Sequence, residues 1–183
     1  MNDIDTSNWK EFKLCELFDI TTTKAIDRKN IQFDENGKYD FIGRTPTNYG
    51  LQGKINKLEY APNPANTFSV VQIGETCCLF RENEWYASQN IFLMKPKFQE
   101  LIETKLFITT MINKEFEIYK EAYSYPTLKI LKDLSIKLPV KEIEEIDWDY
   151  MEKYIRAMEK VVIADVVKYK DQVIETTKRI VEK

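Results

Sequence analysis

Apolar side chains recur at Trp148, Met151, Ile155, Met158 and Val162 in alternating steps of three and four, the spacing that presents one seam of a helix to a neighbouring helix. A step of four then leads to Val166, and the stripe continues through Tyr169, Val173 and Ile180. Such a shift locally unwinds a coiled coil while preserving its seam. Neither glycine nor proline interrupts residues 147–182, so the pattern predicts one helix about 50 Å long. A domain of about 140 preceding residues has a radius of gyration of roughly 14 Å, too small to cover that length. The outer half of the helix therefore calls for a partner; the alternative is a terminal helix folded back over its own core.

The rest of the chain is patterned differently. Leu101, Ile102, Leu106, Met111, Ile112 and Ile118 stand at helical spacing in a stretch free of glycine and proline, which predicts a helix over Leu101–Tyr119. From Thr21 to Pro96 the signals are strands and turns, and all five glycines fall there. Asn36-Gly37, Tyr49-Gly50 and Asn63-Pro64 mark turns. Tyr39–Ile42, Thr67–Ile73, Thr76–Phe80 and Ile91–Met94 read as short strands. Trp9–Ile20 fits either a short helix or a strand followed by a turn. Thr127–Leu134 reads as a short helix and Ser135–Val140 as a strand closing the domain. The predicted class is α+β: a mostly β domain with flanking helices over residues 1–140, then a long coiled-coil-type helix over residues 141–183.

Composition narrows the chemistry. With 43% hydrophobic and 13% aromatic residues, the chain can build an ordered core. No run nears the roughly 18 apolar residues of a membrane span, and the polar first ten residues predict no secretory signal. Three cysteines, two of them adjacent (Cys77 and Cys78, with Cys15 apart), argue against a disulfide framework and for a reducing cytoplasm. Histidine is absent, which removes histidine-based nucleophile pairs and metal sites, and no metal or other cofactor is expected. The net charge of −3 gives no general attraction to nucleic acid. Locally the balance differs: residues 24–57 carry seven Lys/Arg against four acids, whereas the segment from Lys141 onward carries nine against eleven.

Three short runs occur in order: Phe41-Ile42-Gly43-Arg44-Thr45, then Asn48-Tyr49-Gly50-Leu51-Gln52-Gly53, then Tyr86-Ala87-Ser88-Gln89-Asn90-Ile91. Tyr125 before a Leu-rich stretch, Ile136-Lys137-Leu138-Pro139-Val140, and Ile146-Asp147-Trp148 opening a long helix follow them. This succession, over nearly the whole chain, resembles the target-recognition domains of type I restriction-modification specificity subunits. The resemblance implies two such domains per subunit, joined by two long helices, each domain reading half of a split site in double-stranded DNA. It implies that the helices dock modification subunits, which bring S-adenosylmethionine-dependent adenine methylation, and that restriction subunits add cleavage. One domain and one helix look like half of such a subunit, either a natural half-length form that pairs with a copy of itself as a homodimer, or a fragment.

Base readout requires bidentate donors and acceptors on loops that reach base edges. Arg44, Thr45, Asn48, Tyr49, Gln52, Ser88, Gln89 and Asn90 are the candidates. Lys24, Arg28, Lys29, Lys54, Lys57, Tyr86, Tyr123, Tyr125 and Lys129 are candidates for backbone contacts, which position without specifying. The competing structural readings have Arg44 pairing locally, Gln89 and Asn90 satisfying backbone groups, Tyr49 and Tyr86 packing, and the lysines solvated. No phosphate loop, dinucleotide fingerprint or Asn/Asp-Pro-Pro-aromatic methyltransferase signature occurs. Glu103-Thr104-Lys105 is a lone nuclease-like triplet that reads better as a solvated ion pair on a helix. The acids Glu142, Glu144, Glu145, Asp147 and Asp149 suit a helix start. Two further functions compete with DNA reading: a protein-interaction module assembling through its helix, and a small nuclease using Glu103 and Lys105.

Overall fold

The computed structural model describes residues 6–121, 125–142 and 145–181, with side chains through 119 and 177 in the two helices that border the gaps. Tyr123, Glu144 and the Ile180 side chain, named above, lie outside the described residues. The Trp9–Ile20 stretch resolves into strand β1 (Lys10–Lys13), a single helical turn α1 (Leu14–Leu17) and strand β2 (Phe18–Thr22). Strands β3 (Tyr39–Ile42), β4 (Leu51–Ile55), β5 (Thr67–Val71), β6 (Cys78–Arg81), β7 (Trp85–Ala87) and β8 (Ile91–Pro96) follow. Helix α2 (Ile102–Glu121), helix α3 (Leu128–Asp133) and strand β9 (Ser135–Leu138) complete the domain, and helix α4 (Trp148–Val181) leaves it. Among the described residues no helix is long and apolar enough to cross a membrane.

Three sheets share the work. The largest runs β2-β8-β5-β6, entirely antiparallel; a smaller one runs β4-β3-β7; β1 pairs with β9 and so closes the domain. All five residues of β5 are buried, because both faces of that strand are covered. Phe68 and Val70 point into the main core with Phe107, Ile108, Ile112 and Phe116 of α2. On the opposite face Val71 packs with Cys77 and Leu79, and the two hydroxyls are satisfied by neighbours: the Trp85 indole N–H donates to Thr67 Oγ1 (3.0 Å) and Arg81 Nε donates to Ser69 Oγ (2.9 Å).

Strand β6 is an edge, and an open edge invites stray pairing. Asn113 of α2 closes it: Cys78 N–H donates to Asn113 Oδ1 (2.7 Å), and Asn113 Nδ2 donates to the Cys78 carbonyl (2.8 Å). A side-chain amide thus stands in for the missing strand. Burial pushes the Cys78 thiol far up, so that cysteine serves the core rather than any chemistry.

Helix α4 begins at Trp148, seven residues later than the expected 141–183, because Val140 first bridges Ile146 in extended form. Asp147 Oδ1 accepts from the Tyr150 N–H (3.0 Å), an N-cap that also places a carboxylate at the positive end of the helix. Its first turns belong to the domain: Met151 is fully buried, and Trp148, Tyr154 and Ile155 pack against the main core. Arg156 ties the helix to α2 through Glu103 (3.3 Å) and along its own turn to Glu152 (2.8 Å). From Glu159 to Thr177 every residue is exposed. The helix does not fold back.

Replacing Asn113 with alanine removes both bonds to the edge of β6. The expected cost is about 1–3 kcal/mol of unfolding free energy, read from a lowered urea midpoint with an unchanged slope.

Candidate nucleic-acid interface

Strands β3 and β7 run parallel, pairing Asp40 with Trp85, Phe41 with Tyr86 and Ile42 with Ala87. The segments that follow them, 43–45 and 88–90, therefore leave the sheet from the same edge, tied by Ser88 N–H donating to the Ile42 carbonyl (2.9 Å). Leu51 pairs with Ile42 across the β3–β4 hairpin, which sets Gln52 beside them. The 23–30 segment joins by a parallel bridge from Ala25 to Ala87 and by Ile26 N–H donating to the Ala87 carbonyl (3.0 Å). Together they line a cleft of about 270 Å³ made by Asp27, Arg28, Phe41, Gly43, Arg44, Thr45, Gln52, Ser88 and Gln89.

Five readout candidates and one backbone candidate thus meet in one place although up to 61 positions separate them in the chain. Arg44 and Gln89 are exposed; Thr45, Gln52 and Ser88 are half-buried. Gly43 permits this, since a Cβ there would lie 2.8 Å from the Gln52 side chain. The Ser88 hydroxyl is buried and makes no hydrogen bond among the described residues. Arg28 lies 5.8 Å from the Phe33 ring centroid. Asp27 accepts from the Lys29 backbone (3.2 Å) and pairs with its ammonium (3.6 Å), so its carboxylate is engaged away from the two cleft arginines.

Next to the cleft, Thr47–Gly50 form a tight 3-10 turn in which Asn48 (φ 50°), Tyr49 (φ 55°) and Gly50 (φ 73°) are all left-handed. Asn48 Nδ2 donates to the Leu51 carbonyl (3.2 Å), and the Tyr49 ring stays half exposed. Below the turn lies Arg81, 5% exposed, whose Nη1 donates to the Tyr49 carbonyl (2.6 Å). Its guanidinium sits 5.4 Å from the Tyr49 ring centroid. Burial pushes the Tyr49 phenol up and pulls Arg81 down to about 10, which leaves the arginine charged at neutral pH. Sequence reasoning missed Arg81; its one signal was a cation ending an otherwise apolar strand. Asn90 is also left-handed (φ 59°), and its carbonyl accepts from Gln72 N–H (2.9 Å). Both asparagines shape turns.

The remaining backbone candidates scatter. Lys24 lies over the Tyr60 ring (4.1 Å) near the cleft. Lys54 is paired with Asp40 (2.6 Å) on the β3–β4 hairpin, and Lys57 lies beyond the end of that hairpin. Lys129 sits exposed on α3, which packs on α1 and β2, and Tyr125 precedes it, half exposed. Tyr86 is a correction: it is fully buried, its hydroxyl donates to the Tyr60 carbonyl (2.8 Å) and accepts from Leu58 N–H (3.1 Å), and nothing of it is left for a phosphate. The helix seam needs a correction too. Met151, with Trp148 and Ile155, is covered by its own domain and Met158 is half-buried, whereas Val162, Val166, Tyr169 and Val173 are 55%, 61%, 69% and 45% exposed. Glu103 pairs with Arg156 rather than Lys105, whose ammonium lies over Phe80 (5.1 Å); the triplet does not converge on a site.

A β-rich head thus gathers arginine, glutamine and hydroxyl groups in a loop-built cleft and carries a helix with a bare apolar flank. The family of the chain is shown by its relatives. The family model for the type I restriction modification DNA specificity domain matches residues 6–169, and the chain belongs to that family. The chain is 33% identical over 153 residues to the type II restriction enzyme BgcI specificity subunit S.BcgI of Heyndrickxia coagulans, covering 80% of this chain and 42% of that protein. It is 24% identical over 140 residues to the putative type I specificity subunit S.MpnORF285P of Mycoplasma pneumoniae, covering 75% and 45%. Among solved structures, a chain of the type I R-M system described for its complex assembly and conformational transition matches with TM-score 0.64 at 16% identity, over 98% of this chain and 45% of that one. The S subunit from M. genitalium matches with TM-score 0.55 at 13% identity, over 91% and 42%. These structures share the mixed fold with its long helix. The chain spans less than half the length of each of these relatives.

Tyr86→Phe tests the burial of that side chain. Losing the hydroxyl strands the Leu58 and Tyr60 backbone groups and should lower stability by about 1–3 kcal/mol, measured by thermal or urea unfolding.

Proposed function

We propose that this chain is a non-catalytic DNA-reading subunit of a restriction-modification system, which directs partner methyltransferase and nuclease subunits to a target in double-stranded DNA in the cytoplasm. The observation that carries this reading is the cleft, where Arg44, Gln52 and Gln89 converge with Arg28. Arginine pairs in bidentate fashion with guanine and glutamine with adenine in the major groove, while Arg28 and Lys24 suit phosphates on the flanks. Residues 1–140 supply the reading head, and residues 141–183 supply assembly. The exposed run of Val162, Val166, Tyr169 and Val173 supports pairing with a second copy and docking of modification subunits. The net charge of −3 favours a second reading, a protein-interaction module that assembles through α4 and leaves DNA alone.

A gel shift with the cognate modification subunit present, titrated with salt, separates the two. DNA reading predicts a complex whose log affinity falls linearly with log salt through counterion release; no complex with any duplex at low salt would leave only the interaction module. Arg44→Ala and Gln89→Ala should each weaken binding to the preferred site by about ten- to a hundredfold, the size of one bidentate base contact, with a smaller effect on unrelated duplexes.

The double variant Val162→Asp, Tyr169→Asp should leave the head's unfolding temperature near wild type, since exposed positions change stability by only about 0.5 kcal/mol. Its mass by light scattering should fall and the modification subunit should no longer co-purify. Unchanged mass and retained docking would remove the helix from assembly.

A further inference from the structure

We propose that Arg81 is the positioning residue of the readout surface: from beneath, it clamps the left-handed turn 48–50 and so presents Tyr49 and the neighbouring Arg44-Thr45 segment to DNA. The inference rests on the DNA-reading function proposed above and adds a residue that has no access to DNA itself.

Two consecutive non-glycine residues with positive φ, Asn48 and Tyr49, then Gly50, make a turn that the backbone does not favour unaided. Asn48 contributes a local bond to Leu51. The tie to the rest of the protein comes from the Arg81 fork, with Nε on Ser69 of the central strand β5 (2.9 Å) and Nη1 on the Tyr49 carbonyl (2.6 Å). One rigid, charged plane therefore connects a fully buried strand to an exposed turn. Gly50 lets the turn settle onto that plane, since a Cβ there would meet Nη2 at 3.0 Å and the Thr45 carbonyl at 3.1 Å. The same turn is tied to the cleft, because Gly43 N–H donates to the Gly50 carbonyl (2.8 Å).

A purely structural role explains this poorly. Arg81 is 5% exposed and its Nη2 has no hydrogen-bond partner among the described residues. A buried, incompletely satisfied cation stabilises a core less well than an apolar side chain of similar volume. The geometry points to what the charge obtains instead, a fixed turn with a half-exposed aromatic ring on top.

The test uses the full chain assembled with its modification subunit, as wild type, Arg81→Lys and Arg81→Met. A random-sequence duplex library enriched by the wild-type complex defines the preferred site, and single-base variants of that site measure discrimination. Lysine keeps the charge but cannot span Ser69 and Tyr49 together. Arg81→Met should lose about tenfold or more in discrimination, Arg81→Lys should be intermediate, and both should keep the wild-type salt slope because phosphate contacts are untouched. Amide exchange at Gly43 should accelerate in both variants while the Cys78 amide, held by Asn113 in the same strand as Arg81, should not. If Arg81→Met fails to fold, Arg81→Lys decides alone. Discrimination equal to wild type in a folded variant, whatever its unfolding temperature, would overturn the proposal. A wild-type complex that enriches no sequence overturns the DNA-reading function, whereas unchanged Gly43 exchange in a folded variant overturns the Arg81 clamp independently of it.

Discussion

The parallel pairing of β3 with β7 is the contact on which the site depends. Both strands are short, both are buried, and neither carries a readout residue. Their register, Ile42 beside Ala87, makes residues 43–45 and 88–90 emerge together, although more than forty positions separate them in sequence. A shift of one residue would turn the Phe41, Tyr86 and Trp85 side chains to the wrong faces, and the two polar segments would no longer share a cleft. The pairing is itself held from outside the small sheet: Trp85 bonds to Thr67 of β5, and Tyr86 bonds to the 58–60 segment. The geometry of the cleft is thus linked to the packing of Trp85 and Tyr86, which do not line it.

How much of this was readable in the chain follows from range. Elements set by local periodicity were legible: α2, α3, α4, and strands β3, β5, β6 and β8 all appear where their patterns place them. Strand β4, with glycine and glutamine inside it, has no strand signal of its own and exists through its pairing with β3. Strand β7 is three residues long, too short for any alternation to register. The cleft residues were recognisable by type and by family resemblance, yet their convergence is a property of tertiary pairing. Tyr86 was misplaced for the same reason. An aromatic next to a polar run reads as exposed until the strand it belongs to is known to be a covered one. Arg81 was invisible because its role lies in a bond to a carbonyl 32 positions away.

The long helix shows the same limit in another form. Its stripe is continuous in sequence, but the environment of the stripe is not. Met151 at 0% exposure and Val162 at 55% occupy equivalent seam positions, one covered by the domain's own core and one bare. Periodicity reports which face is apolar and is silent about what covers it. The junction is anchored twice, by the Asp147 cap and by the bridge from Arg156 to Glu103 on α2. A helix anchored in this way at its root carries its exposed flank clear of the domain's own core.

Net charge is a poor guide to such a molecule. The acid excess belongs to the segment from Lys141 onward, most of which lies on a helix that extends away from the head. At physiological ionic strength charges further apart than about 8 Å are largely screened from one another, so the tail contributes little at the cleft. There, Arg28 and Arg44 line the cleft with Asp27 as its one acid, and Asp27 is already paired with Lys29. The local sign is positive while the total is negative. A phosphate arriving at this edge meets the local field, and the acidity of the whole chain then works against binding elsewhere on the surface. Under the proposed DNA-reading function, weak attraction outside the cleft would leave discrimination to the few groups inside it, the balance required when non-specific sites vastly outnumber the target.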